Sequence, residues 1–317
     1  MLARARQFFK ERNVLEVDCG ALVKWAPIDA NIDVISASVS NTEQGFLHTS
    51  PEYAMKRLLT QGSGDIYFLG HVFRKGEIGR LHNPEFTMAE WYRVNMSFEE
   101  LIKETCSFLS LFLGPLPRRI ISYREMFAQY AGNNLLPPEN GAHWSQTETL
   151  HYILSHKIEP HLGMGELTIV IDYPASEAAL ARLIEKDGEI VAERFEIYHR
   201  GVELANGYHE LSNAKELKDR FENENIARKL RHQETYTLDD AFLAAMKGLP
   251  DCCGVSVGFD RALMLRNQAD RLSQVIPFAW DLSCEKPEKR RFGVLKGKIK
   301  ISPDFDEPLP DEIFNPL

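Results

Sequence analysis

The most constraining stretch of the chain is residues 65–94. DIYFLGHVF (65–73) is aromatic and β-branched, as a buried strand requires, RKGEIGRLHNP (74–84) is charged and contains glycine, and residues 85–94 are extended again. Strand, polar loop, strand is a hairpin, and hairpins build antiparallel sheets. A second pair reads as residues 191–198 and 201–206, with further strands at 14–17, 167–172 and 254–259 and a short extended piece at 46–50. Helices are expected over 1–13, with Leu2, Phe8 and Phe9 on the apolar side, from Pro51 to about Thr60, over 97–113 with Phe98, Leu101, Ile102 and Leu109 inward, and over 260–266. The charged segment 214–232 reads as a solvated helix, and residues 114–166 are mixed. No βαβ repeat runs through this order. The fold class is therefore α+β, an antiparallel sheet flanked by helices.

Composition narrows the function. The 46 acidic and 37 basic residues leave a net charge of −9. Nucleic-acid affinity rests on cations against phosphates, so a broad DNA or RNA surface is disfavoured. The five cysteines are odd in number and form no C-x-x-C pair, which suits reduced thiols in a cytoplasmic protein. No apolar run approaches the roughly 20 residues of a membrane span, so no membrane partner is expected. At residue 285 the composition shifts: residues 285–300 hold seven Lys or Arg against two Glu, and residues 301–317 hold five acidic residues and no base. Residues 1–284 read as one catalytic domain and 285–317 as a charged extension.

Four clusters carry chemistry. Arg74 ends a buried strand and opens a polar loop, where a guanidinium fork suits a phosphate or carboxylate; its bland alternative is a salt-bridged rim residue. Glu203, Asn206 and Glu210 in GVELANGYHEL offer oxygen ligands for Mg²⁺, against a hairpin of solvated carboxylates. GVSVGFDR (254–261) puts two glycines and Arg261 at a strand-to-helix junction. Glu52, in TSPE, stands at a helix start, where a charge favourable to the helix is the ordinary explanation.

Taken together, these clusters resemble a known family. FRKGEIGRLHNPEFTMAEWYR (73–93) is similar to motif 2 of class II aminoacyl-tRNA synthetases, and GVSVGFDR to their motif 3. TSPEYAMKRLL and GVELANGYHEL resemble lysyl-tRNA synthetase, and the AEWYR ending with the short chain resembles the elongation-factor-P lysine ligases, free-standing paralogues of that enzyme. The motif-1-like helix begins at Met1, so no anticodon-binding domain is expected, and no tRNA as partner.

The resemblance implies a homodimer that uses ATP and Mg²⁺ to form an (R)-β-lysyl adenylate and transfers the β-lysyl group to a lysine of elongation factor P. It implies that Arg74 bridges the substrate carboxylate and the α-phosphate, and that Arg261 lies near the γ-phosphate. Lys75, Gly76, Asn83, Glu203, Leu204 and Gly258 complete the ATP site. Ser50, Pro51, Glu52, Tyr92, Glu210 and Ser256 hold the amino acid, and Glu203 and Glu210 the metal. Three departures stand out. Gly76 occupies the place of a family glutamate, with Glu77 next; Val17-Asp18-Cys19-Gly20 replaces the Thr-Pro pair that ends motif 1; and Ser256 replaces a synthetase glycine. The competing readings are a lysyl-adenylate former that charges tRNA or a small amine, and a catalytically dead regulator. RRFGVLKGKIKISPDFDEPLPDEIF (290–314) is similar to the toxin-binding end of certain type II antitoxins, which implies a toxin-like partner; a disordered extension or frame fusion is the alternative.

Overall fold

The computed structural model describes residues 1–132 and 146–280. Helix α1 (Leu2–Lys10) buries Ala5, Phe8 and Phe9. Leu2, expected on that side, is 46% exposed. Strand β1 (Leu15–Glu16) follows, then a small sheet of β2 (Leu22–Val23), β3 (Ile35–Ser38) and β4 (Gln44–Leu47). Pro51 caps helix α2 (Glu52–Thr60), and Ser50 Oγ accepts from the Glu52 N–H at 3.0 Å. The anticipated hairpin is β5 (Ile66–Phe73) and β6 (Glu85–Val94), paired from Ile66 opposite Tyr92 to Phe73 opposite Glu85. Helix α3 (Phe98–Leu113) starts in a Ser97–Glu100 capping box. Strand β7 (Arg118–Ser122) runs into α4 (Tyr123–Tyr130) through a second box, Ser122–Glu125. Each box satisfies backbone N–H groups that would otherwise be orphaned at the helix start.

After α5 (Gln146–Ile153) come β8 (Leu167–Ile171), β9 (Tyr173–Pro174), β10 (Leu183–Lys186) and β11 (Glu189–Ala192). The chain closes with β12 (Arg194–His199), β13 (Val202–His209), α6 (Ala214–Leu230), α7 (Asp240–Ala245), β14 (Cys252–Gly258) and α8 (Phe259–Arg266). The main sheet has eight strands in the order β1-β5-β6-β14-β13-β12-β8-β7. Helices α1, α3 and α8 pack on one face, where Phe9 stacks on Tyr67 at 4.1 Å and meets Trp91 and Phe108. The opposite face is left for a site.

Three expectations need correction. The sheet is antiparallel only at its centre, because β1 pairs with β5 and β7 with β8 in parallel, each across a connection long enough for a crossover. The strand expected over 191–198 is two strands in different sheets, since β11 turns back on β10 through Asp187-Gly188, both at positive φ. Helix α6 is not simply solvated: Leu217 and Phe221 are buried, and so is Arg228. The Arg228 guanidinium donates to Asp29 O, Ile32 O and Asp33 Oδ1, pinning residues 29–33 over the open face of the sheet.

Candidate active site

A cavity of about 1050 Å³ lies on that open face. Strand side chains alternate between faces, so β6 contributes Phe86, Met88, Glu90 and Tyr92, and β14 contributes Gly254, Ser256 and Gly258. Ser256 sits opposite Glu90 on one side and Asn206 on the other. Strand β13 carries a bulge: Ile197 pairs with Ala205 but Tyr198 with Glu203, leaving Leu204 extra. The bulge reverses the alternation once. It brings Glu203 onto the same wall as Asn206, Tyr208 and Glu210.

One end of the cavity is acidic and buried. Lys56 is 1% exposed, and its Nζ lies 2.6 Å from Glu52 Oε1 and 2.6 Å from Glu210 Oε2. Neither oxygen of Glu210 has an aligned hydrogen bond, so that carboxylate is held by charge alone. Burial pushes Glu210 up to about 7 against the pull of Lys56. Burial alone would lower Lys56, but Glu210 and Glu52 hold it well above the ordinary lysine value. Glu90 accepts from Ser50 Oγ at 2.7 Å and from Tyr92 Oη at 2.9 Å, and burial with Glu52 beside it pushes it up to about 8. Gly254 makes the room: a Cβ there would stand 2.4 Å from Glu210 Oε1 and 2.4 Å from the Tyr92 ring. Two buried carboxylates and the half-buried Glu52 against one lysine leave a cluster short of positive charge.

The other end is cationic. Arg261 Nη1 donates to Glu203 O at 3.1 Å and approaches Glu203 Oε2 at 3.3 Å, while Nη2 meets His82 Nε2 at 2.9 Å. Arg74 lies over the Phe86 ring at 5.2 Å and 3.6 Å from Glu77 Oε1, and its buried Nε has no partner. An orphaned guanidinium N–H in a cavity is a ready donor to a carboxylate or phosphate oxygen. Between the ends, Arg194 pairs with Glu196, which also accepts from Tyr173 Oη at 2.7 Å. Withdrawal from water and the facing Glu196 raise Glu203, with Arg261 opposing.

A largely buried carboxylate cluster therefore adjoins two arginines on the antiparallel centre of a bulged sheet. The family model for class II tRNA synthetases (D, K and N) matches residues 1–281. The chain belongs to this family. Curated relatives include the elongation factor P–(R)-β-lysine ligases of Haemophilus influenzae (37% identical over 301 residues, 89% of this chain and 93% of the relative), Pasteurella multocida (37% over 298 residues, 88% and 92%) and Haemophilus ducreyi (39% over 298 residues, 88% and 91%).

Of the residues singled out by resemblance to the synthetases, Ser50, Glu52, Arg74, Asn83, Tyr92, Glu203, Leu204, Glu210, Ser256, Gly258 and Arg261 line the cavity. Pro51, Lys75 and Gly76 do not: Pro51 is buried as the cap of α2, Lys75 N donates to Asp33 O, and Gly76 is an exposed turn residue at φ +77°. Glu77, one place beyond the family glutamate, does reach the wall. Asn83 bonds Glu85 O at 2.6 Å and accepts from Trp280 N at 2.9 Å, so it also fastens its own loop.

The pairing of Glu203 with Glu210 as joint metal ligands is corrected. Seven residues of extended chain, shortened by one bulge, separate them by roughly 20 Å, and Glu210 is already matched by Lys56. Among the described residues no three His, Cys, Asp or Glu gather as a metal cage. Glu203 and Glu196 are the carboxylates that lie together, on adjacent strands, mutually repelling and beside Arg261. Mg²⁺ bound with nucleotide needs only one or two carboxylates, the phosphates supplying the rest. The sequence reading missed Glu90, Lys56 and Glu196. Period-two alternation from Tyr92 and Ser256 would have found Glu90, and the i,i+4 spacing of Glu52 and Lys56 was visible in TSPEYAMK.

Proposed function

We propose that this chain activates (R)-β-lysine with ATP as the aminoacyl adenylate and transfers it to a lysine side chain of elongation factor P. The observation that carries the reading is the acidic end of the cavity. Glu52, Glu90 and Glu210 face a single cation, Lys56, so the two ammonium groups of a β-lysine molecule would bring the cluster to neutrality. The names of the relatives and the family match support the same acceptor and chemistry.

Adenylate formation is an in-line attack of the substrate carboxylate on the α-phosphorus, which asks the protein to position and to neutralise charge. With both ammonium groups fixed by carboxylates, the substrate carboxylate points toward the orphaned Nε of Arg74. Arg261, anchored on Glu203 and Leu81 O, presents its fork to the outer phosphates. Mg²⁺ held by Glu203 and Glu196 would screen the charge of the pyrophosphate as it leaves. Asn206 and Ser256 complete the floor beneath the amino acid, Ser256 Oγ donating to Asn206 O at 3.4 Å.

We also propose a homodimer, since α1 and β1 leave Leu2 and Leu15 exposed at the edge of the sheet, and a cytoplasmic protein. No described helix is long and apolar enough to cross a membrane, and the four described cysteines are buried and unpaired. We read residues 1–284 as the catalytic domain; the tail and its toxin-like partner lie outside the described residues. The deciding experiment incubates the chain with ATP, labelled (R)-β-lysine or α-lysine, elongation factor P and bulk tRNA. Label on the factor supports the reading, and label on tRNA overturns it.

A further inference from the structure

One arm of the cavity wall is used by neither the ATP nor the amino-acid reading: His151 of α5, Leu154 just beyond it, Glu177, Glu224 of α6 and Arg231 at the C-cap of that helix. His151 Nε2 and Glu177 Oε1 are 3.1 Å apart. Glu177 is itself fixed, its carbonyl accepting from Arg194 Nη1 at 2.6 Å, and Arg194 Nε reaches Asn206 Oδ1 at 3.3 Å. Asn206 lies opposite both Glu196 and Ser256 in the sheet. The arm is therefore tied, through two side chains, to the floor on which the adenylate would form.

We propose that this arm is the port for the acceptor lysine, and that His151, oriented by Glu177, takes the proton from the incoming ε-ammonium in the transfer step. The inference rests on the ligase reading above. A lysine ammonium, with an ordinary pKa of about 10.4, is no nucleophile at neutral pH. In the step, the amine nitrogen bonds to the carbonyl carbon of the mixed anhydride. One ammonium proton passes first to His151 and on to water; the bond from that carbon to the phosphate oxygen then breaks, AMP leaves with the electron pair, and the second proton shed by the nitrogen as the amide forms goes to the departing phosphate and on to water.

Other titratable groups on the wall are engaged. Glu52, Glu90 and Glu210 belong to the amino-acid end, Glu196 and Glu203 to the phosphates, and His82 meets Arg261. A hydrogen on Nε2 directed at Glu177 leaves Nδ1 of His151 as the acceptor. The charged groups acting on His151 are Glu177, Arg194 from β12 and Arg231 at the C-cap of α6, and Glu148 of α5 and Glu224 of α6 share the same wall. The bond to Glu177 raises His151 above the ordinary histidine value, while burial, Arg231 and Arg194 pull it back. A base strengthened by its carboxylate partner suits the task.

The test separates the two half-reactions of the full-length enzyme. ATP–pyrophosphate exchange driven by (R)-β-lysine reports activation, and single-turnover transfer from preformed adenylate to elongation factor P reports the second step. His151→Gln is expected to retain exchange but to slow transfer about 100-fold at neutral pH, the usual worth of a general base. That deficit should shrink about tenfold per pH unit as solution supplies the free amine up to its pKa near 10.4. Glu177→Gln removes the carboxylate that raises His151, so the acid limb of the transfer profile should move to lower pH. The proposal is overturned if His151→Gln transfers at the parent rate, or if it is slowed by one constant factor at every pH. It is equally overturned if Glu177→Gln leaves the acid limb in place. Absence of exchange in the parent enzyme would instead defeat the ligase reading on which the proposal stands.

Discussion

Replacing Lys56 by methionine removes the lysine cation from a cluster of two buried carboxylates and the half-buried Glu52 while conserving most of the side chain's volume. Lys56 lies 2.6 Å from both Glu52 and Glu210, and both Lys56 and Glu210 side chains are 1% exposed. Breaking such a pair from one side leaves an uncompensated buried charge, at a cost of roughly 3–5 kcal/mol. The cluster can limit the damage by taking up protons, because burial already holds Glu210 at about 7 and Glu90 at about 8. Loss of the lysine raises Glu210 further, which brings the expected cost near 3 kcal/mol at neutral pH, a fall in Tm of about 6–12 °C for a domain of this size. The pH dependence has a definite sign. A carboxyl whose folded pKa exceeds its unfolded value near 4.3 lends its stability below that value and loses it as pH rises through the folded pKa. The variant's Tm deficit should therefore be small near pH 5 and widen toward pH 8. Added (R)-β-lysine, whose ammonium groups replace the missing charge, should recover part of it. Differential scanning calorimetry at several pH values, with and without the amino acid, measures all three effects. A deficit that is flat across pH, or no deficit at all, would refute the charge-balance account of this end of the cavity.

The remaining predictions follow from the same geometry. Arg74→Ala and Arg261→Ala should each lower β-lysine-driven ATP–pyrophosphate exchange by at least ~10²–10³, the typical effect of losing a donor to developing charge; near-parent exchange in Arg74→Ala would remove it from the α-phosphate. Glu210→Gln should weaken (R)-β-lysine binding by about 2–5 kcal/mol with little change for ATP, read by separate titrations; a defect confined to ATP would place Glu210 with the nucleotide after all. Because burial and Glu52 hold Glu90 at about 8 in the empty cavity, ammonium binding should ionise it, release a proton at neutral pH, and tighten as pH rises toward 8; calorimetry in buffers of differing ionisation enthalpy would detect that proton, and none released would contradict the assignment. Ser256→Gly should narrow the kcat/KM preference for (R)-β-lysine over α-lysine, by an amount within the roughly 10–200-fold range of a one-methylene change; an unchanged ratio would make Ser256 only a strand residue.

Local signals made much of the fold legible. The aromatic β5, the turn chemistry of 74–84 and the apolar stripe of α3 are decided by residues near one another, and their bounds agree with the structure to within a residue or two. What failed was set by distant partners. Nothing in 114–122 announces a strand; β7 exists because β8 lies beside it in parallel. Arg228 reads as one more charge on a polar helix, yet it is buried because Asp29, Ile32 and Asp33, nearly 200 positions away in sequence, offer it three oxygens. The Asp187-Gly188 turn was written plainly, and the reading over 191–198 passed it by.

The site divides along a similar line. Arg74, just past the end of β5, and Arg261, in the first turn of α8 after β14, stand in motifs with fixed spacing, and the sheet brings both to one cavity. Glu203 and Glu210 looked like one acidic pair because they share a strand, whereas each is defined by its neighbour on another element. Glu203 faces Glu196 from β12 and Arg261 from α8, and Glu210 meets Lys56 from α2. The Leu204 bulge hides this from any period-two reading, since without it Glu203 would face away from Glu210. In the proposed reading one stretch of chain, β13 and the residue after it, serves two chemistries: Glu203 turns to the phosphates, and Glu210 with Lys56 to the amino groups of the substrate, so that satisfying the amines at the Lys56 end leaves the carboxylate directed at Arg74.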